Sequence, residues 1–172
     1  GEFYNMVSRA NQVIERVPDV EMDVNRRNEI LGEAHFLRGL AYFYIVNLWG
    51  TSPLSLTEAA TLEEIFLPNS TPEITWASII EDFKIAQANL PQDGSFPKGE
   101  IGRATWGAAT GFLGKSYLYN NDFTNASIEL KKVIDSGVYD LNDNYSDNFT
   151  EEISNTKESL FEIQFDGNET GV

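Results

Sequence analysis

Apolar residues recur three and four positions apart through most of this sequence, and a proline or glycine follows most of these runs. The spacing predicts amphipathic helices over 4–17, 24–49, 72–90, 103–119 and 123–135, with surface loops over 54–70 and 92–102. The pattern predicts a mainly α-helical (all-α) fold, a right-handed, solenoid-like stack of helix hairpins. In the second helix, the predicted buried row is Ile30, Ala34, Leu37, Ala41, Tyr44 and Leu48.

The fourth predicted helix is unusually rich in small residues, with Gly107, Ala108, Gly111 and Gly114 close together on its surface. An interior glycine destabilises a helix by about 1 kcal/mol relative to alanine. Such a loss is tolerated where another backbone must come close. We therefore expect this helix to form a tightly packed pair with a neighbouring helix.

A 34-residue period is the mark of tetratricopeptide repeats, in which two helices form each unit. Residues 107–140 fit one such repeat in register, whereas Thr110 and Val138 replace its usual tryptophan and closing proline. The fit therefore supports a tetratricopeptide-like helix-hairpin stack and carries no information about catalysis. The matching positions are Leu113, Gly114, Tyr117 and Ala126.

The last part of the chain differs in character from the helical part. We predict a helical core over 1–137 and an irregular segment over 138–172, which is rich in Asn, Asp and Ser at its start. Apolar and polar residues alternate over 159–165, which predicts a half-buried strand. No partner strand lies nearby in sequence, so we expect this chain to be a fragment of a longer polypeptide with a β-like segment at its end.

The charge balance limits the possible partners, because 27 acidic residues against 12 basic ones give a net charge of −15. Such a surface repels nucleic-acid phosphates and anionic lipids, whereas a neutral sugar is indifferent to it. The sequence has no cysteine, which excludes disulfides, thiolate metal sites and cysteine nucleophiles. No run approaches the ~20 apolar residues of a membrane helix, and no signal peptide is recognisable.

Several short motifs occur in a fixed order over nearly the whole chain. They are Arg9-Ala-Asn-Gln-Val-Ile14, Gly32-Glu-Ala-His-Phe-Leu-Arg38, Leu48-Trp-Gly-Thr-Ser-Pro-Leu54, Asp82-Phe-Lys-Ile-Ala86, Gly102-Arg-Ala-Thr105, Lys115-Ser-Tyr-Leu118, Val133-Ile-Asp-Ser-Gly-Val-Tyr139 and Glu158-Ser-Leu-Phe-Glu-Ile-Gln-Phe165. Together, these motifs resemble those of the SusD/RagB family.

The resemblance implies a SusD-like α/α superhelix in a lipoprotein on the extracellular face of the outer membrane of Bacteroidetes. It implies a non-enzymatic protein without a cofactor, which binds an oligosaccharide or polysaccharide and docks on a TonB-dependent, SusC-like transporter for nutrient uptake. The lipid anchor would belong to the full-length parent. The resemblance assigns no carbohydrate-binding residue, so these remain unknown. The alternative is a tetratricopeptide-type protein–protein adaptor without glycan binding.

Catalytic and metal-binding candidates are few. His35 lies between Ala34 and Phe36 with no nucleophile signature to accompany it, so we expect a structural histidine. A glycosidase would need two carboxyl groups at a defined separation, and most acids here fall on polar faces or loops. A solvated surface is therefore the preferred interpretation of the carboxylates.

A calcium loop is only weakly indicated, because Tyr145 occupies the position where the tight turn requires glycine. The candidate ligands are Asp140, Asn142, Asn144 and Glu151.

The tryptophans are the other binding candidates, because a flat ring can stack on a sugar. Trp49, Trp76 and Trp106 lie on or beside apolar rows, so we expect them in the core. The loop aromatics Phe96 and Tyr145 are better placed to meet a ligand.

Overall fold

The structure, a computed structural model, describes residues 1–61, 63–92, 102–150 and 154–164. Within these residues the chain forms five α-helices: α1 (Glu2–Arg16), α2 (Val24–Trp49), α3 (Pro72–Asn89), α4 (Trp106–Tyr119) and α5 (Phe123–Asp135). A two-stranded antiparallel sheet of β1 (Ser52–Pro53) and β2 (Asn69–Ser70) closes the loop between α2 and α3. The predicted mainly α-helical fold is confirmed. None of the helices in the described ranges is both long and apolar enough to cross a bilayer.

Side-chain caps explain where several of the helices begin. The carboxylate of Asp23 accepts a hydrogen bond from the Arg26 N–H at 3.0 Å, which starts α2. Thr105 accepts from the Ala108 N–H at 3.0 Å, so α4 begins three residues after the predicted start at 103. Each cap satisfies a backbone donor that has no partner inside the helix. Beyond α5, Gly137 has φ of 67°, a conformation that favours glycine.

Each helix packs against the next one along the chain, and aromatic rings join the layers. Phe36 and Phe43 of α2 contact the Phe112 ring of α4 with centroids 5.8 and 5.6 Å apart, and Phe83 of α3 stacks on Phe112 at 5.5 Å. Aromatic pairs in these geometries contribute about 0.5–1.5 kcal/mol each beyond their burial. The core therefore runs along α2 and continues through α3 into α4.

The predicted buried row of α2 is only partly correct. Ala34 and Ala41 are buried, but Leu37, Tyr44 and Leu48 are 37%, 41% and 63% exposed. The helix lies between α1 and α3, so its buried surface is wider than one row of side chains and is centred on a different part of the helix surface from the predicted row. That surface includes Phe36, Leu40, Tyr42, Phe43 and Ile45.

The small residues of α4 have different neighbours, and only one of the three glycines explains the close helix pair. A Cβ at Gly114 would lie 2.7 Å from Leu130 Cγ of α5, which confirms a tight α4–α5 contact at this point. A Cβ at Gly111 would instead lie 2.8 Å from Leu160 Cδ2. Gly114 therefore allows α5 to approach α4 closely, and Gly111 allows the segment that follows α5 to do so.

The strand predicted over 159–165 does not form in its described part, 159–164. A strand requires a partner for its backbone hydrogen bonds, and none of the described segments pairs with these residues. Leu160 instead packs on α4, where the Thr105 hydroxyl donates to its carbonyl oxygen at 3.2 Å. These residues do alternate between apolar and polar side chains, but the backbone hydrogen bonds to a second described segment, which would make them a strand, are missing. The division into 1–137 and 138–172 stays a prediction.

Candidate functional site

A groove of about 1080 Å³ lies between α1 and α2, and the segment 161–164 forms part of its wall. Small-molecule sites are typically concave and mostly apolar, with a few polar groups. The lining of this groove is mostly apolar. Its apolar lining consists of Phe3, Met6, Val13, Ile30, Leu37, Tyr44, Phe161 and Ile163, and its polar lining includes Glu2, Asn5, Arg9, Glu33, Arg103 and Glu162.

Aromatic rings lie at one part of the groove. Phe3 stacks on Tyr44 with centroids 5.7 Å apart and planes 14° from parallel, and Trp49 meets Phe3 edge-on at 6.3 Å. Trp49 is 62% exposed because it is the last residue of α2, so the prediction that it belongs to the core is wrong. Trp76 is in the core as predicted, at 9% exposed, and Trp106 is half-buried.

Charged side chains face each other at another part of the groove. The Arg103 guanidinium donates to both carboxylate oxygens of Glu33, at 2.8 and 2.7 Å. Burial raises the pKa of the Glu33 carboxyl above its ordinary value, and the attraction of Arg103 only partly offsets it. Arg9 lines the same groove, is exposed, and forms no ion pair with any described residue. The groove therefore combines apolar surface with hydrogen-bonding groups of both signs.

A buried polar network connects the helices beneath this surface. Arg38 of α2 donates to both oxygens of Asp82 of α3 at 2.9 and 2.7 Å, and to the side-chain oxygen of Asn11 of α1 at 2.9 Å. His35 Nδ1 lies 2.8 Å from the same Asp82 carboxylate. Asn11 in turn donates to the Thr57 carbonyl at 2.8 Å.

This network holds three helices and the loop after α2 in one arrangement. Arg38 and Asp82 are 7% and 2% exposed. The carboxylate is already occupied by Arg38 and His35, which supports a structural role for His35. Sequence reasoning missed the pair, although its signal was present: each charge stands among large apolar residues of a helix, where it needs a partner.

Two of the candidate calcium ligands, Asp140 and Asn142, have other hydrogen-bond partners. The Asp140 carboxylate accepts from its neighbour's backbone N–H and from Lys157, while the Asn142 amide donates to Asn148 and Thr156. In the described ranges, no cluster of three His, Asp or Glu side chains has a geometry suited to an ion. Glu151 lies outside the described residues.

The structure describes one of the two loop aromatics that were predicted to meet a ligand. Phe96 lies outside the described residues. Tyr145 is 79% exposed and pairs with Phe149, which is 72% exposed, with ring centroids 5.1 Å apart. An exposed aromatic pair of this kind contributes little to the core, so its burial by another molecule or segment would be favourable.

Comparison with known proteins identifies the family. A family model described as "Starch-binding associating with outer membrane" matches residues 1–118. A SusD-like protein of Bacteroides ovatus is 30% identical over 177 aligned residues, covering 95% of this chain and 32% of the relative. The chain thus spans about a third of the length of the curated relatives it matches.

Solved structures agree with this assignment. A SusD-like protein of Bacteroides fragilis superposes with a TM-score of 0.87 at 28% identity, covering 98% of this chain and 33% of that one. A laminarin-binding SusD-like protein superposes with a TM-score of 0.86 at 30% identity, covering 93% of this chain and 36% of that one. The family match over most of the chain, together with the shared helical fold, shows that this chain belongs to the SusD-like family.

Proposed function

We propose that this chain is part of a non-enzymatic, glycan-binding component of a nutrient uptake system at the outer membrane. The observation that carries the proposal is the similarity to the laminarin-binding SusD-like protein, which extends over 93% of this chain. The family description, which names starch and the outer membrane, supports the same class of ligand and location.

The side chains of the described residues suit binding better than catalysis. His35, the one histidine, is hydrogen-bonded to a carboxylate that is itself buried and paired with Arg38. A general acid or base must reach its substrate, and the side chain of His35 is only 12% exposed. Exposed aromatic rings such as Trp49 and Tyr145 are in contrast available to stack on a pyranose ring.

The partners belong to the proposal as well. The complete protein would be lipid-anchored on the extracellular face of the outer membrane and would dock on a SusC-like, TonB-dependent transporter through its helical scaffold. A neutral glycan avoids the repulsion that a net charge of −15 imposes on anionic ligands. A protein–protein adaptor is the competing function, because exposed apolar residues such as Leu48 and Phe66 also suit a protein partner.

The test uses the complete protein with laminarin, starch and no glycan. Binding by either glycan is expected to raise the melting temperature, with stabilisation that grows as RT ln(1 + [L]/Kd), about 2.7 kcal/mol at a hundredfold excess over Kd. Calorimetric titration checks the affinity, and assay of new reducing ends checks for hydrolysis. Binding without hydrolysis supports the proposal.

Two other outcomes would change the assignment. Hydrolysis by the purified protein would make it an enzyme. Stabilisation by a protein partner with no response to any glycan would make it an adaptor. The variants Trp49→Ala and Tyr145→Ala test stacking, and Leu141→Ala, which removes a 72% exposed aliphatic side chain, is the matched control.

A further inference from the structure

The loop between α2 and α3 is anchored at its base by side chains of α1 and α2. The Tyr42 hydroxyl donates to the Ser55 carbonyl oxygen at 3.0 Å and accepts from the Ser55 N–H at 2.7 Å. Asn11 of α1 donates to the Thr57 carbonyl oxygen at 2.8 Å. The β1–β2 pair joins the two ends of the same loop. Its base is therefore fixed relative to the helices.

The tip of this loop, residues 63–66, forms a hydrogen-bonded turn of 3-10 helix. The Phe66 N–H donates to the Glu63 carbonyl oxygen at 3.2 Å. The Glu64 carboxylate accepts from the Ala60 N–H at 2.7 Å, which ties the tip to the preceding residues. A segment that is already ordered loses less conformational entropy when it binds. The 63–66 tip is therefore preorganised to present its side chains to a partner.

Two adjacent apolar side chains lie exposed on the 63–66 tip. Ile65 is 59% exposed and Phe66 is 80% exposed, the largest exposed fraction among the large hydrophobic side chains that the structure describes. Aromatic side chains are enriched in the buried centres of protein interfaces. Ile65 and Phe66 therefore form a candidate anchor for a protein partner.

Negative charge borders this apolar pair. Glu63 and Glu64 are exposed, and neither forms an ion pair with a residue in the described ranges. Interfaces place opposite charges against each other because like charges in contact are destabilising. A partner that buries Ile65 and Phe66 is therefore expected to place Lys or Arg beside these carboxylates.

A basic protein surface fits the 63–66 tip better than the other possible occupants do. A second copy would bring another net charge of −15 against the first. A lipid surface would place anionic head groups beside Glu63 and Glu64. A neutral glycan would gain little from the aliphatic side chain of Ile65 and nothing from the charge of the two carboxylates.

We propose that Ile65 and Phe66 insert into an apolar pocket, bordered by Lys or Arg, on the extracellular side of the SusC-like transporter. This inference rests on the transporter docking in the proposed function, and it names the contact by which docking occurs. Glycan binding is separate from this contact, so either can fail without the other.

Binding of the complete protein to the transporter purified from the source cells tests the contact. Phe66→Ala is expected to weaken binding at least about tenfold, because it removes the ring that fills the pocket. Phe123→Ala, which removes a 62% exposed ring from α5, is the matched control and should change binding less than about twofold. Equal binding by wild type and Phe66→Ala, or equal weakening by both variants, would overturn the inference and leave docking intact. A wild type that does not bind the transporter would overturn both.

The charged border is tested by Glu63→Gln, which leaves the hydrogen bond between Glu64 and Ala60 in place. This variant is expected to associate with the transporter at least about twofold more slowly at low salt, because it removes attraction to the basic border. Glu81→Gln, at an exposed position of α3, is the control. Equal association rates for the two variants would contradict a basic pocket border.

Thiol labelling identifies what covers the 63–66 tip. Phe66→Cys and Phe123→Cys are placed singly in an otherwise cysteine-free complete protein. A thiol at position 66 is expected to react with a maleimide at least about tenfold more slowly with the transporter than without it, and a thiol at 123 at the same rate in both. Slow reaction at 66 in the isolated protein would show that another part of the polypeptide or a second copy covers the tip. Slow reaction only with laminarin would assign the tip to the sugar. Both results would overturn the inference.

Discussion

The Arg38–Asp82 pair provides the sharpest test of how this scaffold is held together. Replacing Arg38 with Met keeps much of the side-chain volume but removes the guanidinium, which makes four hydrogen bonds: two to Asp82, one to Asn11 and one to the Leu56 carbonyl. The Asp82 carboxylate is then buried with only His35 beside it. Breaking a buried ion pair from one side destabilises a protein by about 3–5 kcal/mol.

The matched control removes the same group from the surface. Arg16 also binds a carboxylate, that of Glu58, but its side chain is 66% exposed, against 8% for Arg38. Exposed pairs contribute about 0–1 kcal/mol, so Arg16→Met should leave stability nearly unchanged. Urea unfolding of the wild type and both variants gives the free energies. A loss below about 1 kcal/mol for Arg38→Met, or equal losses for the two variants, would refute the reasoning.

Three further predictions concern single side chains. Gly111→Leu should lower stability by about 1–3 kcal/mol through overpacking against Leu160, and an unchanged or raised melting temperature would contradict close packing there. Burial raises the pKa of Tyr42 to about 12, so the stabilising contribution of its neutral hydroxyl is complete below pH 10 and is lost as the pH rises to 12. The difference in unfolding free energy between wild type and Tyr42→Phe should therefore shrink between pH 10 and pH 12, by up to about 3 kcal/mol. Because the pKa of Glu33 is raised, its contribution is complete below its ordinary pKa of about 4.3 and falls as the pH rises above that value. Unfolding at a series of rising pH values should show wild type losing stability relative to Glu33→Gln, and a constant difference would refute the shift.

Local signals predicted the helices well because they depend on nearby residues. The bounds of α2 and α5 agree with the structure, and α3 begins at Pro72 as predicted, after its cap Thr71. The predicted start of α4 at residue 103 is wrong, because Thr105 caps the helix and α4 begins at Trp106. Periodicity alone does not show which residue supplies the cap.

Features that depend on packing between helices were not predictable in the same way. The exposed face of α2 and the choice of Asp82 as the partner of Arg38 both follow from the placement of α1 and α3. Spacing within one helix indicates that a buried charge needs a partner but does not identify that partner. The strand over 159–165 was expected from its alternation, but a strand exists only when a second segment pairs with it.

The motifs that resemble the family contribute both to the buried network and to the candidate groove, since Arg9, Glu33 and Arg103 belong to them as well. Asn11, Arg38 and Asp82 belong to the recognised motifs, and all three are buried in the network that fixes α1, α2 and α3. The exposed aromatics Tyr145 and Phe149 lie outside those motifs. A network of buried charges is sensitive to any change, because an unpaired charge in the interior is strongly destabilising. Exposed side chains can change with little effect on folding, so the same scaffold can present different surfaces. The buried residues of these motifs therefore indicate the fold and its family, whereas exposed residues carry no such constraint.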